Sequence, residues 1–451
     1  MRFLGNRAGC EESLSVMAAI PLRRLVAAAL ACSLLTAAAC GDGSSDDTGR
    51  ADESSDADGP AGQTVKADLA RVSPPADAPV DQVVTGLRDF ALRLAASEDP
   101  GENVVLSPTS IGVAFAMAEA GASDATAADI AEVFGFPDQP AVHEAMNALT
   151  AQLDATNHPG NEDSEGVTLE LANALWGQEG LEFGPEFLDT LATQYGAGVD
   201  TVDFAGDPEG AKAAINGWVS DVTRERIPDL ISEIDPATVV AIVNAIYLKA
   251  SWQTQFAEDL TSDGPFTLTS GSTVDVPTMH ASSLNTSAAE GDGWQAVRLP
   301  YDGNELSMVV VVPDEGTSLA DFESGLDGAG LGQILDGLES ASVDLSLPRF
   351  EASSALDLAE PLSALGLTIP GGDLGRVAPG TSVAIGQAVH AANITVDEKG
   401  TEAAAATLIM GVTSMPSEIL TIDVDRPFLF VVQHDETGAP LFYGRITDPR
   451  G

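Results

Sequence analysis

The chain is 451 residues long, which allows one large domain or two to four ordinary ones, and its 44% hydrophobic content is ample for a core. Its 69 acidic residues against 20 basic ones give a formal net charge of −49. A basic nucleic-acid footprint is thereby excluded, and a carboxylate-dominated, well-solvated surface is expected.

The first 79 residues read as targeting and tether. Arg23 and Arg24 precede LVAAALACSLLTAAAC, a run too short and too alanine-rich for a membrane span but suited to a signal peptide. Ala37, Ala38 and Ala39 lead to Cys40, Gly41 and Asp42, which is similar to a bacterial lipoprotein cleavage box with Ala37 where leucine is usual. That likeness implies residues 1–40 as a signal peptide and Cys40 as the lipid-bearing first residue. A plain secretory signal cut near Ala39 is the alternative, and Met17 is an alternative start. All three cysteines (Cys10, Cys32, Cys40) fall in this leader, so disulfides do not hold the folded part together. Residues 41–79 are rich in Gly, Ser, Asp and Pro without hydrophobic periodicity, and are expected to form a disordered acidic linker.

Folded structure is expected over 80–451. Val83, Leu87, Phe90 and Leu94 recur at helical spacing and predict a first amphipathic helix ended by Asp99-Pro100-Gly101. Next, NVVLSPTSIGVAFAMAEAGASDATAADIAEVF (103–134) reads as a short strand, then a helix entered through Ser107 and Pro108, then a second helix after Ser123. An amphipathic stretch at 140–153, a polar loop and the strand LELANALW (169–176) follow, with helical patterns at 184–195 and 208–224. TVVAIVNAIYLKASW (238–252) is apolar on both faces, so it predicts a strand covered on both sides, with Asn244 needing a buried partner. Beyond 252, alternating runs separated by Gly, Asp and Pro predict stacked sheets, interrupted by helical inserts at 318–338 and 354–366. Helices first and strands later indicate an α+β domain.

No H-E-x-x-H pair, metal-spaced histidine cluster, Walker loop, G-x-S-x-G elbow or dinucleotide fingerprint occurs. Neither an enzyme nor a cofactor or metal is expected. The informative stretch is DEKGTEAAAATLIMGVTSMP (397–416), which passes from charge through small residues to an apolar end. Its alanines alone favour helix, yet its flanks, AVHAANITVD and RPFLFVVQ, are strand-like. In an extended conformation Thr401, Ala403, Ala405 and Thr407 would share one face and Glu402 the other.

The string from Glu398 to Thr407, followed by DRPFLFVVQHDETGAPLFYGRITDP (425–449), closely resembles the hinge, exposed reactive loop and closing strand pair of the serpins; 103–134 and INGWVSDVTRERIPDLI also resemble that family. The resemblance implies a serpin-like α+β fold, with amino-terminal helices packed on antiparallel and mixed sheets and an exposed reactive loop. It implies a monomeric suicide-substrate inhibitor that forms a covalent acyl complex with a target serine protease, with no nucleic-acid partner. A non-inhibitory carrier or chaperone is the alternative. Carried over residue by residue, the hinge comprises Glu398, Gly400, Thr401, Ala403, Ala405 and Thr407. Ser107, Ser110, Asn244 and His390 would cluster under the sheet and gate its opening, with Trp252 near its entry. Family spacing places the attacked bond between Ser414 and Met415, or between Thr413 and Ser414 if the register slips by one. The absence of Arg or Lys there points to elastase-like or subtilisin-like targets. The amino terminus implies an extracellular protein, anchored at the cell surface or secreted.

Overall fold

A computed structural model of the chain describes residues 63–161, 164–401 and 419–451. The leader with Cys40 and the stretch 402–418 lie outside the described residues.

After a two-residue strand β1 (Thr64–Val65), the first half runs α1 (Val80–Ala95), β2 (Val104–Leu106), α2 (Pro108–Glu119), α3 (Asp124–Phe134), α4 (Ala141–Ala155) and β3 (His158–Pro159). Next come β4 (Gly166–Gln178), α5 (Pro185–Thr190), β5 (Val199–Val202), α6 (Pro208–Val222) and β6 (Val240–Ser251). Strands then prevail: β7 (Ser262–Thr267), β8 (Thr273–Gly291), β9 (Trp294–Pro300), β10 (Leu306–Pro313), β11 (Glu339–Pro348) and β12 (Phe350–Asp357), with α7 (Leu319–Ser324) and α8 (Gly328–Asp336) between β10 and β11. Last are α9 (Ala359–Ala364), β13 (Ile385–Val396), β14 (Gly400–Thr401), β15 (Ile419–Asp423), β16 (Phe428–His434) and β17 (Ala439–Ile446). The first sheet is ordered β1-β5-β4-β6-β14-β13-β12, with β3 on β4; the second is β15-β11-β8-β9-β10-β16-β17-β2, with β7 on β8.

Local chemistry explains how α2 comes to lie between these sheets. Pro108 fits its first turn, where an amide hydrogen has no helical partner, and the Ser107 hydroxyl accepts from the Ser110 N–H at 3.2 Å. Every residue from Pro108 to Glu119 is buried, as an all-round apolar helix requires. It packs against β17 on one side and against β4 and β6 on the other. The outer face of the first sheet is covered by α6: Ile215 and Val219 share an apolar cluster with Trp176, Val243 and Ala245, and with Val389 and Ala391 of β13.

Three sequence expectations change. The expected linker stops short of residue 79, because Thr64 and Val65 pair with Asp200 and Val199, and Arg71 is bonded into α4. Two paired residues are too few to produce a periodic signal. The insert expected as helix from 354 begins as strand, since β12 keeps its register with β13 as far as Asp357↔Val389. The insert at 318–338 is two helices, each capped by its own side chain, Ser318 and Asp327.

One buried acid stands out in this frame. Glu119, at the end of α2, is 1% exposed and its Oε2 has no hydrogen-bond partner. Burial pushes its carboxyl up to about 7, with Gln139 opposing and Asp138 reinforcing the shift. A raised native pKa means stability that is fully present below the unfolded value and lost as pH rises through 7, to a total of about 3 kcal/mol. Glu119→Gln is therefore expected to raise the urea midpoint at pH 8 and leave it nearly unchanged at pH 4.5. A variant midpoint that tracks the unaltered protein at both pH values would contradict this.

Candidate functional site: a partly opened seam in the first sheet

β6 and β13 run parallel and pair from Val240 with Ile385 up to Ile246 with Ala392. Above that level their ladder stops, and β14 is wedged between them. It is antiparallel to both: Gly400 lies opposite Ser251, while Thr401 lies opposite Ala250 on one side and Val396 on the other. Between wedge and ladder, residues 247–249 and 393–395 pair only with their outer neighbours β4 and β12. The seam is thus zipped below, open for three residues, and occupied at its upper end by the first two residues of the stretch that leads into 402–418.

Why the chain turns there is legible in its atoms. The Asp397 side chain accepts from the Lys399 N–H at 2.8 Å and the Gly400 N–H at 3.3 Å, and the Asp397 N–H donates to the Gly400 carbonyl. Gly400 has φ +151°, and a Cβ there would lie 2.1 Å from the Ala250 carbonyl oxygen, so the turn into the seam requires glycine. Thr401 is fully buried, with its hydroxyl 2.7 Å from that of Tyr301. Trp252 stacks on Tyr301 with ring centroids 4.5 Å apart, and its indole N–H donates to the Asp397 carbonyl at 2.9 Å.

Glu398 closes the upper end. It is 3% exposed and accepts from Arg349 Nε at 2.8 Å, from a second Arg349 nitrogen and from the Thr261 hydroxyl. Burial pushes its carboxyl up, but the donors Arg349 and Thr261 outweigh this and hold it below the usual range. Lys399 pairs with Glu258 at 3.3 Å.

Lower in the seam, His390 lies opposite Asn244, and its Nδ1 is 2.5 Å from Asn244 Oδ1. The Ser107 N–H donates to His390 Nε2 at 3.0 Å, so Nε2 is the acceptor and Nδ1 carries the proton that Asn244 receives. Asn244 in turn donates to the Val389 carbonyl at 3.1 Å. Ser110 hydrogen-bonds neither side chain. Its hydroxyl lies 3.1 Å from Asn173 Oδ1 and 3.3 Å from the Ala245 carbonyl, and Asn173 is the β4 neighbour of Asn244. The structure therefore brings together Ser107, Asn244 and His390 directly, adds Ser110 through Asn173, and holds Trp252 at the opposite end beside Gly400 and Thr401. Ala403, Ala405, Thr407, Thr413, Ser414 and Met415 lie outside the described residues.

Arg349, Tyr301, Thr261 and Asn173 are site residues that the sequence reading did not single out. An arginine between a strand end and Phe350, and an aromatic closing AVRLPY, carry only a faint signal, because their partners are far away in the chain.

Burial lowers the His390 imidazole to about 3, so it is neutral in the closed sheet. A depressed native pKa gives stability present above about 6.5 and lost as pH falls toward 3, up to roughly 5 kcal/mol. Acidification from pH 6.5 to 4 is therefore expected to lower the melting temperature of the uncleaved protein, and His390→Gln to flatten that slope. His143, held near 4 by burial, acts with the same sign, so the difference between the two slopes is the quantity to measure. Equal slopes would remove His390 from the account.

Helices packed on two mixed sheets, with a glycine hinge entering a seam of the first sheet between β6 and β13, define the serpin class of fold. The serpin (serine protease inhibitor) family model matches residues 85–449, and the chain belongs to that family. Leukocyte elastase inhibitor of Sus scrofa is 34% identical over 385 residues, covering 82% of this chain and 100% of the relative. An uncharacterised serpin-like protein of Thermococcus kodakarensis is 34% identical over 354 residues, covering 77% of this chain and 81% of that one. Among solved structures, the thermophilic serpin tengpin in its native state superposes with TM-score 0.74 at 25% identity, covering 85% of this chain and 97% of that one. Thyroxine-binding globulin complexed with thyroxine gives TM-score 0.70 at 27% identity, covering 81% and 99%.

Proposed function

We propose that this protein is a suicide-substrate inhibitor of serine proteases with elastase-like or subtilisin-like pockets, acting by cleavage and insertion of residues that follow Thr401. The observation that carries the reading is register. β14 sits opposite β6 with Thr401 at Ala250, and opposite β13 with Thr401 at Val396. Extending both ladders downward brings Thr407 level with Asn244 on one side and His390 on the other. The two extrapolations agree, so one continuous strand fits the seam without a bulge.

Entry of that strand requires two things of the sequence. The residues sharing the inward face with Thr401, namely Ala403, Ala405 and Thr407, have to be small and uncharged to end buried against α2. The Asn244–His390 hydrogen bond has to break as Thr407 arrives, so this pair acts as the catch on the lower ladder. A protease attacking the bond after Ser414, or after Thr413, forms an acyl-enzyme whose hydrolysis takes on the order of a millisecond to a second. Fourteen inserted residues span roughly 46 Å at about 3.3 Å each, which carries the tethered protease away from its starting position. A displacement near 1 Å within its catalytic site costs about 10²-fold in rate, enough to strand the ester.

The amino terminus supports an extracellular setting, with Cys40 as a lipid anchor to the cell surface or with secretion after cleavage near Ala39. Mass spectrometry of the mature amino terminus distinguishes the two. For the inhibitory reading, the test is incubation with elastase and with subtilisin. An SDS-resistant adduct, cleavage after Ser414 or Thr413, and a large rise in melting temperature of the cut protein are expected. Full recovery of both proteases, with no rise in melting temperature after cutting, would sink the reading and leave a carrier role.

A further inference from the structure

The described fold is left at Thr401 and rejoined at Ile419, the first residue of β15, which is the edge strand of the second sheet. From Met415 to Ile419 the chain reaches at most about 14 Å. A protease domain of roughly 200 residues has a radius of gyration of about 16 Å. An enzyme seated on the bond before Met415 therefore overhangs β15 and the strands beside it, on the side of its cleft that takes the leaving group.

Strand alternation sets what that surface offers. Leu420 and Ile422 turn toward the core, which leaves Ile419, Thr421 and Asp423 on the outer face of β15. Parallel pairing with β11 puts Asp344 beside Thr421 and Ser346 beside Asp423, with His280 of β8 across from Ser346. Asp423 Oδ1 accepts from the Ser346 hydroxyl at 2.8 Å and Asp344 Oδ1 from the Ser283 N–H at 2.7 Å, so both carboxylates are held in place on that face.

Its charge is one-sided. Strands β7, β8, β11 and β15 carry Asp263, Asp275, Glu290, Glu339, Asp344 and Asp423 but neither lysine nor arginine, and His280 is their only side chain able to become cationic. Lys399, Arg349 and Arg426, near the two ends of 402–418, are each paired with an acid: Glu258, Glu398 and Asp425. The same two ends carry apolar contact area. Of the four large apolar side chains left exposed among the described residues, Leu260 at 53% and Ile419 at 49% are two. Leu260 belongs to a turn whose neighbours Phe256 and Thr261 donate to Glu398, just before the hinge, and Ile419 stands where the chain returns. Exposed apolar side chains ringed by charge mark a partner surface. A second copy of so acidic a chain is a poor occupant, because like charges repel.

We propose that the outer face of β15, β11 and β8 docks the target protease and selects, among enzymes with suitable pockets, those with a basic surface beside their leaving-group subsites. The proposal rests on the inhibitory reading above and specifies its partner. Its test alters charge on both partners. Subtilisin is used unaltered and with lysines added on the leaving-group side of its cleft. The full chain is used in three forms: unaltered; Asp344→Asn with Asp423→Asn, which keeps both hydrogen-bond acceptors and both side-chain shapes; and Asp229→Asn with Glu233→Gln, which removes equal charge in the loop leading to the lower end of β6. The rate of adduct formation is measured at low salt and at about 1 M, where charges are screened beyond roughly 3 Å.

At low salt the lysine-bearing enzyme is expected to react with the unaltered chain about tenfold faster than unaltered subtilisin does, and the gain to vanish at high salt. Asp344→Asn with Asp423→Asn should cut that gain by about threefold or more, whereas the remote pair should keep it. Equal gains in the two acid variants overturn the docking face, since net charge alone then steers the enzyme. No gain from the added lysines overturns it as well. Absence of any adduct, with no rise in melting temperature after cutting, rejects the inhibitory reading instead; docking is then read from the rate of loop cleavage, which the same charges are expected to control.

Discussion

On the proposed insertion mechanism, replacing Thr401 with arginine is expected to turn the protein from a covalent trap into a cleaved substrate. Thr401 is fully buried between Ala250 and Val396, with its hydroxyl satisfied by Tyr301. A guanidinium there either remains unpaired in an apolar seam, at a cost of several kcal/mol, or keeps the hinge out of the sheet. Even about 3 kcal/mol added to the insertion barrier slows insertion by roughly 10²-fold. Against an acyl-enzyme that lasts about a second or less, that delay decides the race for hydrolysis. The loop should be cut at an undiminished rate, the SDS-resistant adduct should vanish, and protease activity should recover fully. Thr401→Ser, which keeps the hydroxyl, should leave adduct formation within about twofold. Ala403→Arg carries the same expectation. A stable complex from either arginine variant would contradict the mechanism.

Reversing the charge at Glu398 is expected to have the second largest effect. Arg349 and Thr261 both donate to this carboxylate, and Arg349 leads into β12. Lysine in its place sets two cations against each other at the top of the seam and leaves both donors without an acceptor. Removing one partner of a fully buried pair costs about 3–5 kcal/mol, and the 44% exposure of the Arg349 side chain brings this to roughly 2–3 kcal/mol. Glu398→Lys should melt several degrees lower before cleavage. It should also form oligomers with rising concentration, because a seam no longer held at its entry presents unpaired strand edges. Adding Arg349→Glu restores opposite charges and should recover most of the loss. No recovery in the double variant would show that the ion pair is not what holds the entry closed.

Much of the architecture was legible in the chain because it rests on local signals. The 3.6-residue spacing of Val83, Leu87, Phe90 and Leu94 predicts α1, and the two-sided apolar run around Asn244 predicts a strand covered on both faces. The opposition of Asn244 and His390 came from a likeness between motifs 146 residues apart, which no periodicity contains. Contacts of that kind without a motif stayed hidden. Nothing in TVKADLARV announces that Thr64 will extend a sheet edge or that Arg71 will bury Asn147, since two paired residues and one arginine make no pattern. The strand end at Asp357 was read as helix because the sequence of β12 is small and polar on its outer side, and its strand state comes from the neighbour β13.

The placement of α6 across the seam makes the molecule its own spectroscopic probe. Trp218 on that helix meets Trp176 on β4 edge to face, with centroids 6.3 Å apart, while Val243 on β6 and Val389 on β13 share the same cluster. A strand threading between β6 and β13, as the proposed mechanism requires, would pass under α6 and is expected to disturb this indole pair. Stopped-flow emission, without any attached dye, should then time the translocation as a transient, separate from the chemistry that triggers it.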